Sequence, residues 1–344
     1  MSTRRLPAEW EPQAFVQLTW PHMATDWRDI LPDVLSCYQQ MAAEILKREP
    51  LLIVTPEERD PLASSTNHFP FPYNIVHCST NDTWARDHAF ITVFENKKRH
   101  LLDFQFNGWG MKFAAHHDNQ INSYLWEQQA GGLLNSEDRY ENHLDFVLEG
   151  GSIESDGKGT LLTTTSCLLA PNRNEPLGKA EIENELKCRL GVEQVLWLHH
   201  GHLMGDDTDG HIDTLARFCP DDTIAYVCCK DKDDEHYEDL AQMEKELASF
   251  RTREGKPYRL IPLPMPDPIF DEVGMRLPAT YANFLIVNGA VLYPTYRQPD
   301  IDALAARQLQ LAFPNHEIVG IDCLVLIHQH GSLHCSAMQY PQHE

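Results

Sequence analysis

Between residues 29 and 47, apolar side chains recur every three or four positions: Ile30, Leu31, Val34, Leu35, Tyr38, Met41, Ala42, Ile45 and Leu46. That spacing lines one face of a helix and predicts one across this stretch. Pro32 falls in its first turn, where a missing N–H is tolerated. Weaker helical stretches start near His116, Gly178, His236 and Asp300, and Gly191 just past Leu190 gives the one from Gly178 a stop. Short runs rich in branched and aromatic residues lie between them, at 51–54, 74–77, 89–94, 101–106, 146–148, 161–164, 195–198, 223–229, 284–287, 291–293 and 323–327. Bounded by Gly, Pro, Asn or Asp, they read as strands. The helix starts are about 87, 62, 58 and 64 residues apart, which predicts five modules of several strands and one helix. No low-complexity linker interrupts them. The Pro-rich stretch 262–268 reads as a rigid loop, and the acidic run 231–239 as a solvated helix entrance.

Composition narrows the class. With 344 residues, 42% hydrophobic and 23% charged, the chain has ordinary globular composition. No apolar run reaches the ~18 to 20 residues of a membrane span. The start, MSTRRLPAEW, has no apolar h-region, and the nine cysteines are odd in number without a C-x-x-C. Reduced thiols in a cytoplasmic protein are expected. Fifty-one acidic residues against 28 basic ones give a net charge of −23. Such a field opposes nucleic acid and anionic membranes and favours a cationic ligand.

Five short segments set functional groups beside glycine or at strand ends: 84–87 (WARD), 106–110 (FNGWG), 149–152 (EGGS), 206–213 (DDTDGHID) and 331–335 (GSLHC). They offer Cys335 as a nucleophile, His211 as a general acid and base, and Asp87, Asp213 and Glu149 as fixed anions. A thiol among carboxylates is a poor nucleophile, because anions disfavour the thiolate. A cationic substrate reverses that sign. A guanidinium is planar, pairs its N–H groups with carboxylates and carries an electrophilic carbon. The set therefore suits a guanidinium better than an ester. Taken singly, each residue has an ordinary explanation: a buried small thiol, an ion pair with Arg86, a turn acid, strand alternation. A metal-dependent amidohydrolase and a non-catalytic acidic binding protein are the competing classes. Eighteen histidines are present, yet no H-x-x-x-H pair with a third ligand stands out, so no metal is expected.

Together these segments resemble the agmatine deiminase family, which includes bacterial-type peptidyl-arginine deiminase-like proteins. The resemblance runs from PAEWEP at 7–12 through the segments above and YANFLIVNG at 281–289 to His334-Cys335. It implies a pentein: one catalytic domain over 1–344, an α/β five-bladed propeller of ββαβ modules with fivefold pseudo-symmetry. It implies Cys335 as nucleophile, His211 as general acid and base, and Asp87 and Asp213 as guanidinium-binding acids. Glu149 would hold the reacting nitrogens and partner His211. Trp84 and Trp109 would line the substrate site, with no cofactor and no metal. The implied products are N-carbamoylputrescine and ammonia, a step toward putrescine, and a homo-oligomer is the default. Few basic residues stand near to meet an α-carboxylate. Of the acids at 206, 207 and 209, Asp207 opens the D-T-x-G-H motif and is chosen to face the amine of agmatine. Two departures stand out: His88-Ala89-Phe90 follows Asp87 where the family often has x-G-P, and His330 and Ser332 replace residues of G-G-N-I-H-C.

Overall fold

The computed structural model describes residues 4–63 and 68–344. The first helix opens with a single tight turn, Arg28–Ile30, and continues as Leu31–Ile45 with Pro32 in its first turn. Its inward face is the expected stripe, burying Leu31, Val34, Cys37, Tyr38, Met41, Ala42 and Ile45. The other helical stretches are Ile121–Glu127, Lys179–Leu190, Tyr237–Ser249 and Pro299–Ala312. Gly191 closes the third of these five at φ 72°, and its N–H donates to the Lys187 carbonyl. A side chain there would be strained and would also meet the Arg4 carbonyl at 2.5 Å.

The fold is mixed α/β, with five sheets among the described residues that repeat one pattern. An antiparallel strand pair is followed by a helix and then a strand parallel to the second of the pair. The first unit pairs Ile91–Glu95 with Lys98–Gln105 and adds Arg139–Val147. The second uses Ile153–Ser155, Thr160–Thr164 and Gln194–Leu198. The third uses Ala216–Cys219, Thr223–Cys228 and Arg259–Pro264. The fourth uses Leu285–Val287, Ala290–Thr295 and Glu317–Asp322. The fifth joins the two ends of the chain: Ala337–Pro341 runs antiparallel to Gln13–Thr19, which pairs in parallel with Leu51–Thr55 and, beyond it, Tyr73–His77. In each unit the parallel connection next to the antiparallel pair carries one of the five helices, the usual crossover for parallel strands.

Several expectations need correction. Residues 323–327 are not a strand; the strand is Glu317–Asp322, and Leu326–Gln329 is a tight helical turn. The apolar side chains there are buried as a cap, which periodicity alone does not separate from a strand. The supposed rigid loop at 262–268 begins inside the strand Arg259–Pro264. That strand lies at the edge of its sheet, where proline is tolerated. The strands Gln13–Thr19 and Ala337–Pro341 escaped notice because they are buried yet carry Gln13, Gln17 and Gln339. Among the described residues, no helix is long and apolar enough to cross a membrane.

Candidate active site

Each unit's first strand is preceded, two to four residues earlier, by a segment that faces one common region. Asp87 precedes Ile91, Gly151 precedes Ile153, Asp213 precedes Ala216, Asn283 precedes Leu285 and Cys335 precedes Ala337. Four of the five segments are among those picked out for their chemistry in the sequence, and the fifth, around Asn283, lies in the 281–289 motif.

Asp87 lies in the four-residue turn Ala85–His88 and is buried. Its Oδ1 accepts from the Gly151 N–H at 2.9 Å and its Oδ2 from the Trp109 indole N–H at 2.9 Å. Trp109 reaches it from a left-handed turn: Gly108, Trp109, Gly110 and Met111 all have positive φ. For a bulky residue such as Trp109 this conformation is strained and persists because packing over-determines it. Here the indole is locked edge-on between Phe106 and Phe113. Burial, with Asp213 and Glu149 nearby, raises the Asp87 carboxyl to about 6 against the pull of His211 and the Trp109 N–H.

His211 is wholly buried, with Nδ1 3.6 Å from Asp87 Oδ1. Neither ring nitrogen has a hydrogen-bond partner. Burial disfavours the charged ring, but Asp87, Cys167 and Asp213 outweigh it and raise the imidazole well above its ordinary value. Glu149 is equally buried. Its Oε1 accepts from Arg173 Nε at 2.9 Å, and its Oε2 has no partner. Glu149 thus faces His211 without a hydrogen bond to it, and Arg173, absent from the sequence reading, is what holds it. Arg173 is held in turn by Asp209 and the Thr208 carbonyl.

Gly151 sits in the middle of this cluster. A Cβ on it would come within 2.6 Å of His211 Nδ1, 2.8 Å of Asp87 Oδ1 and 3.1 Å of Asp213 Oδ2. Gly151→Ala should therefore displace three polar groups at once and lower kcat/KM by roughly 100-fold or more, as sub-ångström misplacement does in positioned sites. Melting temperature should fall only slightly. A variant with near-normal kcat/KM would show that the three groups tolerate displacement.

The thiol of Cys335 is buried 3.6 Å from Asp213 Oδ2, and the Asn283 amide donates to Sγ at 3.2 Å. The Asn283 Oδ1 also accepts from the backbone N–H of His334 and of Cys335, which fixes the nucleophile's loop. Asn283 went unnoticed although it lies inside the 281–289 motif; its place before the fourth unit's first strand is the signal that identifies it. Burial, then Asp213 and Asp87, push the Cys335 thiol well above its ordinary value. Asp213 Oδ2 accepts from His334 Nδ1 at 2.8 Å, and Oδ1 has no partner. Burial opposes ionisation of Asp213, but the His334 N–H, His211 and Arg217 hold it below its ordinary range. Behind His334, Glu9 pairs with Arg86 at 2.9 Å and Arg217 at 2.6 Å. Burial, Arg217 and Arg86 lower His334 against the pull of Glu9 and Asp213; Nδ1 donates to Asp213, and Nε2 lies 2.9 Å from both Arg217 and Glu9.

A cavity of about 400 Å³ opens above Cys335 and Asp87, lined by Trp84, Trp109, Asp82, Asp207 and His330 among others. A second cavity of about 580 Å³ lies behind Gly150 and Arg86 but includes neither the thiol nor Asp87, so the chemistry belongs to the smaller one. Asp206 is used up capping its own loop through Thr208 and Gly210, and Asp209 by Lys112 and Arg173. The Asp207 carboxylate has no such partner among the described residues. Asp82, unremarked in the sequence, stands beside it; burial together with Asp26 and Asp207 raises its carboxyl to about 7. The first departure lies off the reacting groups, with His88 bonded to Thr19, whereas the second reaches the site: His330 lines the cavity, and the Ser332 hydroxyl points away to lie 3.4 Å from Tyr296.

Comparison with known proteins gives a consistent picture. The family described as Porphyromonas-type peptidyl-arginine deiminase matches residues 5–341. An agmatine deiminase of Medicago truncatula is 32% identical, covering 98% of this chain and 96% of its own. A C. jejuni agmatine deiminase solved with substrate bound is 38% identical with a TM-score of 0.90, covering 99% of this chain and 97% of its own. A Porphyromonas gingivalis structure, provisionally described as an arginine deiminase, is 51% identical with a TM-score of 0.92 and 98% coverage of both chains.

Proposed function

The chain belongs to the Porphyromonas-type peptidyl-arginine deiminase family, and from that premise we propose that it hydrolyses agmatine to N-carbamoylputrescine and ammonia. The observation that carries the reading is one buried thiol beside Asp213, with Asp87 and the His211 that pairs with it, beneath a cavity whose mouth is acidic. The five repeated units are read as blades around a single axis, a pentein of one domain, because each contributes one segment at the same place. All nine cysteines are free, which supports a reducing compartment such as the cytoplasm.

The guanidinium seats between Asp87 and Asp213, where its plane matches their oxygens. Its positive charge offsets the anions that hold Cys335 protonated, so the thiol loses its proton to solvent as substrate binds. The thiolate attacks the guanidinium carbon. His211, protonated because its pKa is raised, gives its proton to the departing ammonia. The now neutral His211 takes a proton from the water that attacks the thiouronium carbon. Collapse releases the ureido product and restores Cys335. Glu149, with one free oxygen, orients the nitrogens that leave.

Substrate choice rests on the mouth. A second cation fits beside Asp207 and Asp82, and no arginine or lysine among the residues lining the cavity is placed to receive an α-carboxylate. Burying that carboxylate unpartnered costs several kcal/mol. Agmatine should be preferred over arginine and over a blocked arginyl peptide by at least ~10²-fold in kcat/KM. Asp207→Asn should raise the KM for agmatine roughly 10-fold or more with little change in kcat, since a charged hydrogen bond is worth ~1.5–3 kcal/mol. Ammonia release from the three compounds at equal enzyme is the test. Faster turnover of either arginine compound would overturn the agmatine assignment and leave the deiminase chemistry standing.

A further inference from the structure

Cys167 touches none of the reacting atoms, yet its sulfur lies beside His211 and helps to raise the imidazole's pKa. A carboxylate oxygen of Glu149, a ring nitrogen of His211 and Cys167 Sγ lie within 4.8 Å of one another, all three residues buried. Glu149 Oε2 and both nitrogens of His211 are without hydrogen-bond partners. We propose that Glu149, Cys167 and His211 form an inhibitory site for a divalent cation of the Zn²⁺ class, which excludes the guanidinium when bound.

The donor set decides the class of ion. One sulfur, one imidazole nitrogen and one carboxylate oxygen suit zinc, whereas calcium and magnesium need six or more oxygens. Ligands of one tetrahedral zinc stand roughly 3.5 Å apart, so small side-chain rotations bring these three into place. Asp87 and Asp213 face the same space and add negative charge. The opposing charge, Arg173, is shared with Asp209.

Two other groups of potential ligands show what a closed cluster looks like. Glu9, Glu154 and His334 are also close together, but Arg86 and Arg217 already occupy their oxygens. Glu95 and Glu141 are engaged by Arg4 in the same way, and His100 by Glu141. Among these three groups of the described residues, the one at His211 keeps an unpartnered carboxylate oxygen and unpartnered ring nitrogens. An ion there occupies the acid and base and the free oxygen of Glu149 together, so it competes with substrate.

The test uses Co²⁺ as a spectroscopic probe and Zn²⁺ as the inhibitor. Co²⁺ added to the wild-type protein should give a thiolate-to-metal band in the near ultraviolet at one ion per chain. The band should persist in Cys335→Ser and vanish in Cys167→Ser. Zn²⁺ should inhibit competitively against agmatine. Cys167→Ser should need roughly 100-fold more Zn²⁺ to lose half of its own zinc-free turnover, since losing even an outer partner of a metal ligand costs 10- to 100-fold. A band lost in Cys335→Ser and kept in Cys167→Ser would place the metal on the nucleophile and overturn the proposal, as would no band at all. Should Cys167→Ser fail to fold, the Cys335→Ser spectrum and stoichiometry decide. The competition arm rests on the deiminase reading and the absorption arm does not, so the two fail separately.

Discussion

Cys335→Ala should abolish ammonia release, by about 10⁴-fold or more, as removal of a covalent nucleophile does elsewhere. The fold should survive. The substitution removes one sulfur atom, and Asn283 keeps its bonds to the backbone N–H groups of His334 and Cys335. Melting temperature reads that directly. The same thiol gives a second readout. Burial, Asp213 and Asp87 hold it protonated, so the thiolate is scarce below the raised pKa and grows as pH climbs toward it. Neutral iodoacetamide should therefore label Cys335 slowly near neutral pH and faster at higher pH. A haloacetamidine brings its own positive charge and should label it quickly near neutrality. An alanine variant that kept a tenth of the wild-type rate would sink the covalent mechanism.

Asp213→Asn carries the next largest effect. Asp213 is fully buried, accepts from His334 Nδ1 and stands 3.6 Å from Sγ. Asparagine keeps the volume and removes the charge. Truncating one partner of a buried charged pair costs ~2–5 kcal/mol, or roughly 30- to 5,000-fold in kcat/KM. The two alkylating agents should then part company. The cationic amidine loses half of its seat and slows. Iodoacetamide does not use the seat, and with one anion gone the thiol ionises more readily, so its rate should hold or rise. Equal slowing of both reagents would show that Asp213 does not act by seating a cation.

What could be read from the sequence, and what could not, follows from how local each signal is. Helix starts at His116, Gly178, His236 and Asp300 fell close to the observed helices, because a stripe at spacings of three and four is written within one turn or two. The motif residues Asp87, Glu149, Asp213 and Cys335 stand out because each lies near a glycine or a strand end, but their roles come from the resemblance of the motifs taken together. Arg173 and Glu9 were not. Arg173 reaches Glu149 across 24 positions and Glu9 reaches His334 across 325, and nothing in either neighbourhood marks the partner. Asn283 was overlooked for another reason: it looks like a turn residue until the five units are laid side by side. The buried strands with Gln13, Gln17 and Gln339 defeat a polarity rule, since Gln17 Oε1 accepts from the Tyr340 hydroxyl and Gln339 donates to Glu9 and the Ile286 carbonyl.

The pairing of Ala337–Pro341 with Gln13–Thr19 has a consequence for how the protein comes into being. Cys335 sits two residues ahead of that strand, so the nucleophile reaches its place only when a loop of more than 300 residues has closed. Closing so long a loop is entropically costly before its contacts are made, which puts it among the late events of folding. On a ribosome, the reactive sulfur would emerge after the two aspartates, the histidine and the glutamate have already been made. A chain made just past Asp213 thus carries both aspartates, the histidine and the glutamate but no nucleophile, so it cannot yet cut a guanidinium.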